Sequence, residues 1–498
     1  MSFINPMTAC DFYKVGHKDM YPKGTTMIYS NFTPRSNRLA PSAGNKKPEK
    51  ILWYGMQGFI KSFLMEAFHY GFFAKPKAVV IAEYKRRVDM ALGEGVVGTE
   101  HIAALHDLGY LPIEIKALPE GSLVDIKVPV LTIKNTLPDF FWLTNYLETA
   151  LSTELWKPTT TATTAFEYRK ILTKYAKETG APLDFVLWQG HDFSYRGLSG
   201  LNDAASASGH LASFLGTDTI PAIDYLEAFY DGLNTFIGGS VPATEHSVMC
   251  AGGKESEIET FRRLITEVCP SGVVSIVSDT WDFWHVITDM AAELKPEIMA
   301  RTPNAIGLNK VVFRPDSGDP VDIICGIEHS FGDTPEEKGA VQCLWDTFGG
   351  TINAEGYKML DEHVGLIYGD SITLERAEQI LSRLKDKGFA SSNVVFGIGS
   401  YTYQYVTRDS FGFAMKATYA EVNGEGSELF KDPITDNGTK KSAKGLLRVE
   451  FEDGKFVLYD QQTKEQEAQG CLQTIFKDGK LVKETSIVEI RNLVNAQA

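Results

Sequence analysis

The segment Gly190-His191-Asp192-Phe193-Ser194-Tyr195-Arg196-Gly197 follows the apolar run Phe185-Val186-Leu187-Trp188, which is typical of a short buried strand. A histidine, an aspartate and an arginine are costly at a strand end unless a ligand binds there. Phe193 offers a flat face for a planar ring, and Arg196 offers a fork for phosphate or carboxylate. The alternative is a structural turn in which Arg196 pairs with Asp192. These residues alone leave both interpretations open.

From about residue 183 the chain alternates apolar runs with helical stretches, and polar side chains follow most of the runs. This alternation predicts a parallel α/β layout with right-handed crossovers. Because the polar groups follow successive strands instead of gathering at one switch point, we expect an irregular (β/α) barrel rather than a doubly wound sheet. The apolar runs span 185–188, 235–238, 273–277, 310–313, 364–368, 394–398 and 411–415.

The flanking segments have a different period. Residues 113–118 and 124–128 alternate apolar and polar side chains around a Pro-Glu-Gly turn, which predicts a small antiparallel element among helices. The tail, 445–498, alternates again and is expected to pack on the first part of the chain. We therefore predict an additional α+β domain built from N-terminal and C-terminal segments. The predicted boundaries are 1–180, 181–425 for the barrel, and 426–498.

Composition excludes several classes of function. The chain has 498 residues, 43% hydrophobic and 23% charged, with a net charge of −15, which argues against nucleic-acid binding as its main task. No run approaches the roughly 18 apolar residues of a membrane span. The six cysteines form no paired spacing, so free thiols in a reducing compartment are expected. With no visible signal peptide, we expect a cytoplasmic protein.

Two further loops carry candidate binding groups. Arg314-Pro315-Asp316-Ser317-Gly318 joins a strand end to a rigid turn, where Arg314 can hold a phosphate and Asp316 can accept from sugar hydroxyls or hold Mg²⁺ through water. Gly397-Ile398-Gly399-Ser400 is a short glycine loop whose N–H groups can cradle a phosphate. An Arg–Asp pair and a plain barrel turn are the structural alternatives.

Single residues in two other loops are weaker signals. His246, near a helix start, can meet a phosphate or become phosphorylated, although a lone histidine is more often structural. Asp218 can accept from an amide –NH₂ and repel a carboxylate, or it can simply cap a helix. Neither a GxSxG elbow nor an HExxH zinc motif is present, so serine-hydrolase and zinc-site interpretations fail.

Taken together and in order, these motifs resemble the nicotinate/nicotinamide phosphoribosyltransferase family over nearly the whole chain. The resemblance implies transfer of a phosphoribosyl group from phosphoribosyl pyrophosphate to nicotinamide, with Mg²⁺ reached through substrate and water rather than held directly by protein. It also implies a homodimer with shared active sites, and ATP as a co-substrate that phosphorylates a histidine. The matching motifs lie at 11–17, 191–197, 216–219, 240–247, 277–279, 314–318 and 430–433.

The resemblance assigns roles to individual residues. Catalytic roles fall to His246, Asp279, Arg314 and Asp316, with Asp279 placed to orient the histidine. Nicotinamide would stack between Phe193 and the partner chain's equivalent of Tyr13. The other substrate-binding residues implied are Asp218 for the carboxamide, Arg196 for the diphosphate, Gly369 and Asp370 for the ribose, Gly399 and Ser400 with Arg408 and Lys416 of the partner chain for the 5′-phosphate, Asp11 and Arg35 at the interface, and Ser275 without a more specific role.

Two positions depart from the family pattern. Tyr401 stands in what is a longer glycine run in the animal enzymes, and Ala414 stands where a phosphate-contacting serine is expected. Bacterial or phage-type members are the closer analogy. Three rival functions are a nicotinate phosphoribosyltransferase, which Asp218 disfavours, a non-catalytic nucleotide-binding relative, and a barrel glycosidase using the strand-end carboxylates.

Overall fold

The computed structural model describes residues 5–330, 332–369, 371–430 and 443–498. Its centre is a six-stranded parallel sheet whose four longer strands are largely apolar on both faces, because helices cover the outside and side chains fill the inside. In spatial order its strands are Gly216–Thr217, Gly190–Asp192, Val394–Ile398, Val364–Tyr368, Val311–Arg314 and Val274–Val277.

Two isolated parallel bridges extend this sheet towards a ring. Gly216 pairs with Gly239 at one edge, and Ala243 pairs with Ser275 at the other. The segment 239–243 thus takes the place of a strand between the first and last strands of the sheet. The α/β fold with an irregular barrel and an additional antiparallel domain, predicted from the sequence, is confirmed.

Three of the seven apolar runs were wrongly predicted as barrel strands. Run 185–188 begins in a 3-10 turn and continues as the helix Val186–Gln189, so the strand starts only at Gly190. Run 235–238 pairs with no strand, because the guanidinium of Arg491 donates to the backbone carbonyls of Phe236 and Ile237.

The third run, 411–415, contributes to the other sheet. Phe411 and Phe413 are buried in the N-terminal core, where Phe413 stacks on Phe32 with ring centroids 5.2 Å apart. The strand that follows, Ala414–Val422, pairs antiparallel with Thr25–Thr33. It therefore extends the antiparallel sheet and not the barrel.

The antiparallel sheet unites both ends of the chain. The C-terminal strand Gln473–Lys477 pairs with Ile113–Ala117, so the tail completes the sheet of the first domain. In spatial order its strands are Glu425–Glu428, Ala414–Val422, Thr25–Thr33, Leu131–Asn135, Ile113–Ala117, Gln473–Lys477 and Lys480–Leu481. Within the described ranges, three two-stranded sheets pair Lys50–Leu52 with Leu123–Asp125, Gly350–Ile352 with Lys358–Leu360, and Leu446–Glu452 with Lys455–Gln462.

The 32-residue helix Glu148–Thr179 lies between the two domains and contributes buried side chains to both cores. Among the helices within the described ranges, none combines the length and hydropathy that a bilayer crossing needs. The other helices of nine or more residues are Lys77–Leu92, Glu100–Leu108, Ile220–Phe229, Ala340–Phe348, Leu374–Asp386 and Ile487–Asn495.

Candidate active site

The parallel register brings the carboxyl ends of the strands to one edge. Asp192 pairs with Ile398 on one side and with Thr217 on the other, while Val277 pairs with Arg314. The loops that follow these strands therefore open on the same end of the barrel, which is where (β/α) barrels carry their sites.

Asp192 organises its strand end through hydrogen bonds within the protein. Its side chain is fully buried and accepts from the backbone N–H of Ser194 at 2.9 Å and from the hydroxyl of Thr219 at 2.6 Å. The alternative in which Asp192 pairs with Arg196 is therefore wrong. Arg196 lies exposed in the short turn Tyr195–Gly197, with its charge available.

Asp218 lies beside His191 at the mouth of the barrel. His191 Nε2 is 2.9 Å from Asp218 Oδ1, and the hydroxyl of Ser240 donates to the same oxygen. Burial acts to raise the pKa of Asp218, but the hydrogen bond and charge of His191 outweigh it, so the pKa lies below its usual value. Asp218 is thus held as a carboxylate, an acceptor of hydrogen bonds.

The ring of Phe193 lies over the glycine of the next strand. A Cβ built on Gly397 would lie 2.5 Å from Phe193 Cδ2, so only glycine leaves room for the ring in this position. The Phe193 and His191 rings have centroids 4.8 Å apart. Phe193 and Asp218 thus both lie next to His191. An aromatic face and a hydrogen-bond acceptor are therefore close together at the mouth of the barrel.

A second cluster joins His246, Asp279 and Asp316. His246 Nε2 lies 3.4 Å from Asp279 Oδ1 and 3.9 Å from Asp316 Oδ1. One nitrogen or oxygen ligand atom from each of the three lies within 4.8 Å of the others. His246 remains about half exposed, with 47% of its side chain accessible, so an incoming phosphate can reach it.

Asp279 fixes the loop that carries Asp316. Its Oδ2 accepts from the backbone N–H groups of Asp316 and Ser317, both at 2.9 Å, and from the Ser317 hydroxyl at 2.6 Å. Burial acts to raise the pKa of Asp279, but the hydrogen bonds from Ser317 and the Asp316 backbone lower it overall. Burial, and then the charge of Asp279, raise the pKa of Asp316.

Arg314 is the cation between the two clusters. It donates to the backbone carbonyl of Thr244, while its Nε is buried and has no hydrogen-bond partner. Burial lowers its pKa, although the carboxylates Asp316, Asp218 and Asp279 oppose that change in this order. A half-buried guanidinium with a spare donor is suited to an anionic ligand.

The glycine loop and the ribose-side residues adjoin these clusters. Gly399 lies between the strand Val394–Ile398 and the short helix Ser400–Tyr403. Gly369 lies next to Asp316, because a Cβ on Gly369 would be 3.3 Å from Asp316 Cβ. Ser275 is buried in its strand, with a hydroxyl that has no partner. Asp370 lies outside the described residues.

The five predicted interface residues lie in segments of the antiparallel domain or next to its strands. Tyr13 is 61% exposed, and Asp11 accepts from the Thr149 hydroxyl at 2.8 Å. Burial lowers the pKa of Arg35, and the neighbouring charge of Arg408 lowers it further. Lys416 is exposed on the strand Ala414–Val422, and Ala414 is buried there. Within the chain, the rings of Tyr13 and Phe193 make no contact.

Four supporting residues were missed by sequence reasoning, namely His191 as the partner of Asp218, Ser240, Thr244 and Ser317. Thr244 accepts the backbone N–H of Val277 on its hydroxyl at 2.9 Å, and its carbonyl receives Arg314. The motif 240–247 contains two of these residues, but its spacing gave no sign of which side chain meets which strand.

Two family profiles match this chain. The profile described as the nicotinate phosphoribosyltransferase family matches residues 188–480, and that described as nicotinamide phosphoribosyltransferase, N-terminal domain, matches residues 5–115. The first covers the strands of the barrel and both side-chain clusters described above.

Curated relatives match over almost the full length. A protein of Acinetobacter baylyi named nicotinamide phosphoribosyltransferase is 62% identical over 499 aligned positions, covering 100% of this chain and 98% of that protein. A protein of the same name from Mycoplasma pneumoniae is 36% identical and covers 89% of this chain and 95% of its own length.

Solved structures with low sequence identity share the fold. Nicotinate-nucleotide pyrophosphorylase from Pyrococcus furiosus has a TM-score of 0.56 at 16% identity, covering 99% of this chain and 96% of its own. Human nicotinic acid phosphoribosyltransferase has a TM-score of 0.54 at 16% identity, covering 98% of this chain and 93% of its own.

Proposed function

Because this chain belongs to the nicotinate phosphoribosyltransferase family, we propose that it transfers the phosphoribosyl group of phosphoribosyl pyrophosphate to nicotinamide. The products are nicotinamide mononucleotide and pyrophosphate, which makes the chain a pentosyltransferase of NAD salvage. The observation that carries the choice of base is the carboxylate of Asp218, hydrogen-bonded to His191 at the barrel mouth.

The base subsite distinguishes an amide from an acid. Asp218 accepts from the carboxamide –NH₂ of nicotinamide, while the carboxylate of nicotinate would be repelled by it. Phe193 supplies the face on which the pyridine ring stacks. Since the ring nitrogen of nicotinamide is already nucleophilic, the transfer needs no general base, and the site's task is to orient the ring towards the anomeric carbon.

The diphosphate subsite stabilises the leaving group. As the bond to pyrophosphate breaks, negative charge grows on the leaving oxygen and the sugar becomes oxocarbenium-like. Arg314, with its unpartnered Nε, and the exposed Arg196 bind that charge, and Asp316 accepts from the ribose hydroxyls. Gly399 and Ser400 hold the 5′-phosphate through their backbone N–H groups.

The donor set fits Mg²⁺. Asp279 Oδ1 is buried without a hydrogen-bond partner, and Asp316 lies beside it, so two carboxylates present the hard oxygens that this ion prefers. Asp279 and Asp316 would hold it through water and the substrate diphosphate. When bound, Mg²⁺ supplies positive charge that neutralises the pyrophosphate.

ATP enters the proposal through His246. The exposed imidazole accepts the γ-phosphoryl group, ADP leaves, and water later hydrolyses the phosphohistidine to phosphate. Asp279, 3.4 Å from Nε2, orients the ring for this step. Hydrolysis of ATP would then drive the otherwise reversible transfer forward.

A homodimer would complete each site. Tyr13 is exposed and makes no contact with Phe193 in its own chain, so a second subunit can place its equivalent ring opposite Phe193. Asp11, Arg35, Arg408 and Lys416 are the other residues that we assign to the neighbouring subunit's site. A cytoplasmic location stays a prediction.

Product analysis tests the proposal. The protein is mixed with phosphoribosyl pyrophosphate, Mg²⁺ and either nicotinamide or nicotinate, with and without ATP. We expect nicotinamide mononucleotide, in a yield that ATP raises in the native protein and not in His246→Ala. Turnover of nicotinate alone would overturn the role of Asp218, and no product from either base would overturn the activity.

A further inference from the structure

Lys157 is a buried lysine whose ammonium group donates hydrogen bonds to three side chains. It lies in the long helix Glu148–Thr179 with 6% of the residue exposed. Its Nζ donates to the carboxylate of Asp203, to Oε1 of Gln404 and, at 3.2 Å, to the hydroxyl of Ser199. An ammonium has three N–H donors, so the group is fully satisfied, which is the condition under which a buried charge is tolerated.

The three acceptors belong to two loops of the candidate site. Ser199 and Asp203 follow Arg196, and the backbone N–H of Ser199 donates to Asp203 at 2.9 Å. Gln404 ends the helix that starts at Ser400, and its Nε2 donates to the Ser199 hydroxyl at 2.9 Å. Nζ of Lys157 therefore connects the long helix to two loops, the one that follows Arg196 and the one that begins at Gly399.

The same two loops also touch directly. A Cβ on Gly197 would lie 2.1 Å from Ser400 Oγ, so the loops are in van der Waals contact next to Arg196. Lys157 and its acceptors form a second point of attachment. Two attachments fix both the distance and the relative orientation of the loops, which one contact does not.

We propose that Lys157 is a positioning residue that sets the spacing between Arg196 and the Gly399–Ser400 loop. This inference rests on the proposed function, in which the two loops bind opposite ends of phosphoribosyl pyrophosphate. Lys157 touches neither end. It acts through Asp203 and Gln404, and a small displacement of such a frame is enough to weaken a substrate that spans it.

The test compares three single variants of the full chain and one double variant, which combines Lys157→Met with Gln404→Leu. Lys157→Met keeps the length of the side chain but removes its charge, whereas Gln404→Leu cuts only the link to the Ser400 helix and keeps the Lys157–Asp203 pair. Lys116→Met is the matched control, since Lys116 forms a buried ion pair with Glu467 at 2.8 Å in the antiparallel sheet. The measurements are kcat, both KM values, and calorimetric binding of phosphoribosyl pyrophosphate with Mg²⁺.

We expect Lys157→Met to raise the KM and the Kd for phosphoribosyl pyrophosphate about tenfold or more, with the KM for nicotinamide unchanged. Gln404→Leu should raise the same two constants, and the double variant should fall short of the product of the single effects, because both changes break one network. Lys116→Met should change neither constant.

Three results would overturn the inference: native affinity for phosphoribosyl pyrophosphate in a folded Lys157→Met, an equal loss in Lys116→Met, or an equal rise in both KM values. If Lys157→Met does not fold, Gln404→Leu decides alone, because it leaves the ion pair in place. Failure of the proposed function looks different, since the native protein would then bind or convert no phosphoribosyl pyrophosphate.

Discussion

His191 donates from Nε2 to Oδ1 of Asp218 at 2.9 Å, and no described residue donates to Oδ2 of the same carboxylate. The side chain of Asp218 is 44% exposed. One oxygen is thus fixed by the protein, while the other accepts no hydrogen bond from the described residues. A single carboxylate is both oriented and available, which is what recognition of a primary amide needs.

Asp218→Asn should weaken the preference for nicotinamide. Asparagine can still accept from His191 through its oxygen, but it then presents –NH₂ to the substrate amide, so two donors face each other. We expect kcat/KM for nicotinamide to fall about 10- to 100-fold, the loss of a buried hydrogen bond with one partner unpaired. Steady-state kinetics with each base measures the change.

The control for this substitution is Asp224→Asn, an exposed carboxylate on the helix Ile220–Phe229. It should leave both bases unaffected. Nicotinate should lose less than nicotinamide in Asp218→Asn, because a repulsive charge has been removed. A parallel loss for the two bases would contradict the assigned role of Asp218.

Gly397→Ala should raise the KM for nicotinamide. The added methyl group would meet the ring of Phe193 at 2.5 Å and the carbonyl of Tyr368 at 2.8 Å, so the ring must move from its present plane. Gly399→Ala is the contrasting variant, because a Cβ there meets nothing within 4 Å. It should leave the KM for nicotinamide unchanged. An equal increase of this KM in both variants would show that the position of the Phe193 ring does not determine base binding.

Shared sites predict complementation between two inactive variants. Arg314→Ala and Arg408→Ala should each be inactive as homodimers, because each removes a cation from both sites. After subunit exchange, half of the dimers would be mixed, and one site of each mixed dimer would be intact. Activity of about a quarter of the native value is expected. A mixture that stays inactive, although exchange is shown by mass spectrometry, would contradict shared sites.

The barrel could be predicted because its strands are buried on both faces and so appear as continuous apolar runs. Runs 364–368 and 394–398 coincide with the strands Val364–Tyr368 and Val394–Ile398. The strand Gly190–Asp192 does not follow this pattern. It is short and polar, and its buried aspartate accepts from the local backbone N–H of Ser194 and from the hydroxyls of Thr217 and Thr219, which tertiary folding brings to it.

The sequence predicted which residues gather at the mouth of the barrel, but it did not predict their contacts. Asp218, Arg314 and Asp316 are found at the barrel mouth, where strand-end positions place them. The pairing of His191 with Asp218 joins residues 27 positions apart. It depends on parallel pairing between Gly190–Asp192 and Gly216–Thr217, and neither strand has an apolar pattern that announces it.

Stability should fall in mild acid because of His101. This ring is buried in the N-terminal domain, with its centroid 4.7 Å from that of Trp142 and with no hydrogen-bond partner for Nε2. Burial, and then the charge of Lys18, lower its pKa from 6.5 to about 4. Between these values the unfolded chain binds the proton and the folded chain does not.

The sign follows from that difference in proton binding. The stability that the protein gains by keeping His101 neutral is fully present above pH 6.5 and is lost as the pH falls towards 4. This loss lowers the free energy of unfolding by about 3 kcal/mol. Urea unfolding at a series of pH values measures it. His101→Phe removes the titrating group and keeps a ring against Trp142, so its free energy of unfolding should change less over this pH range. The control is His329→Phe, at an exposed histidine, which should keep the native dependence of this free energy on pH. An unaltered slope in His101→Phe would show that another group binds the proton, with the equally buried His210, whose pKa is also lowered to about 4, as the next to test.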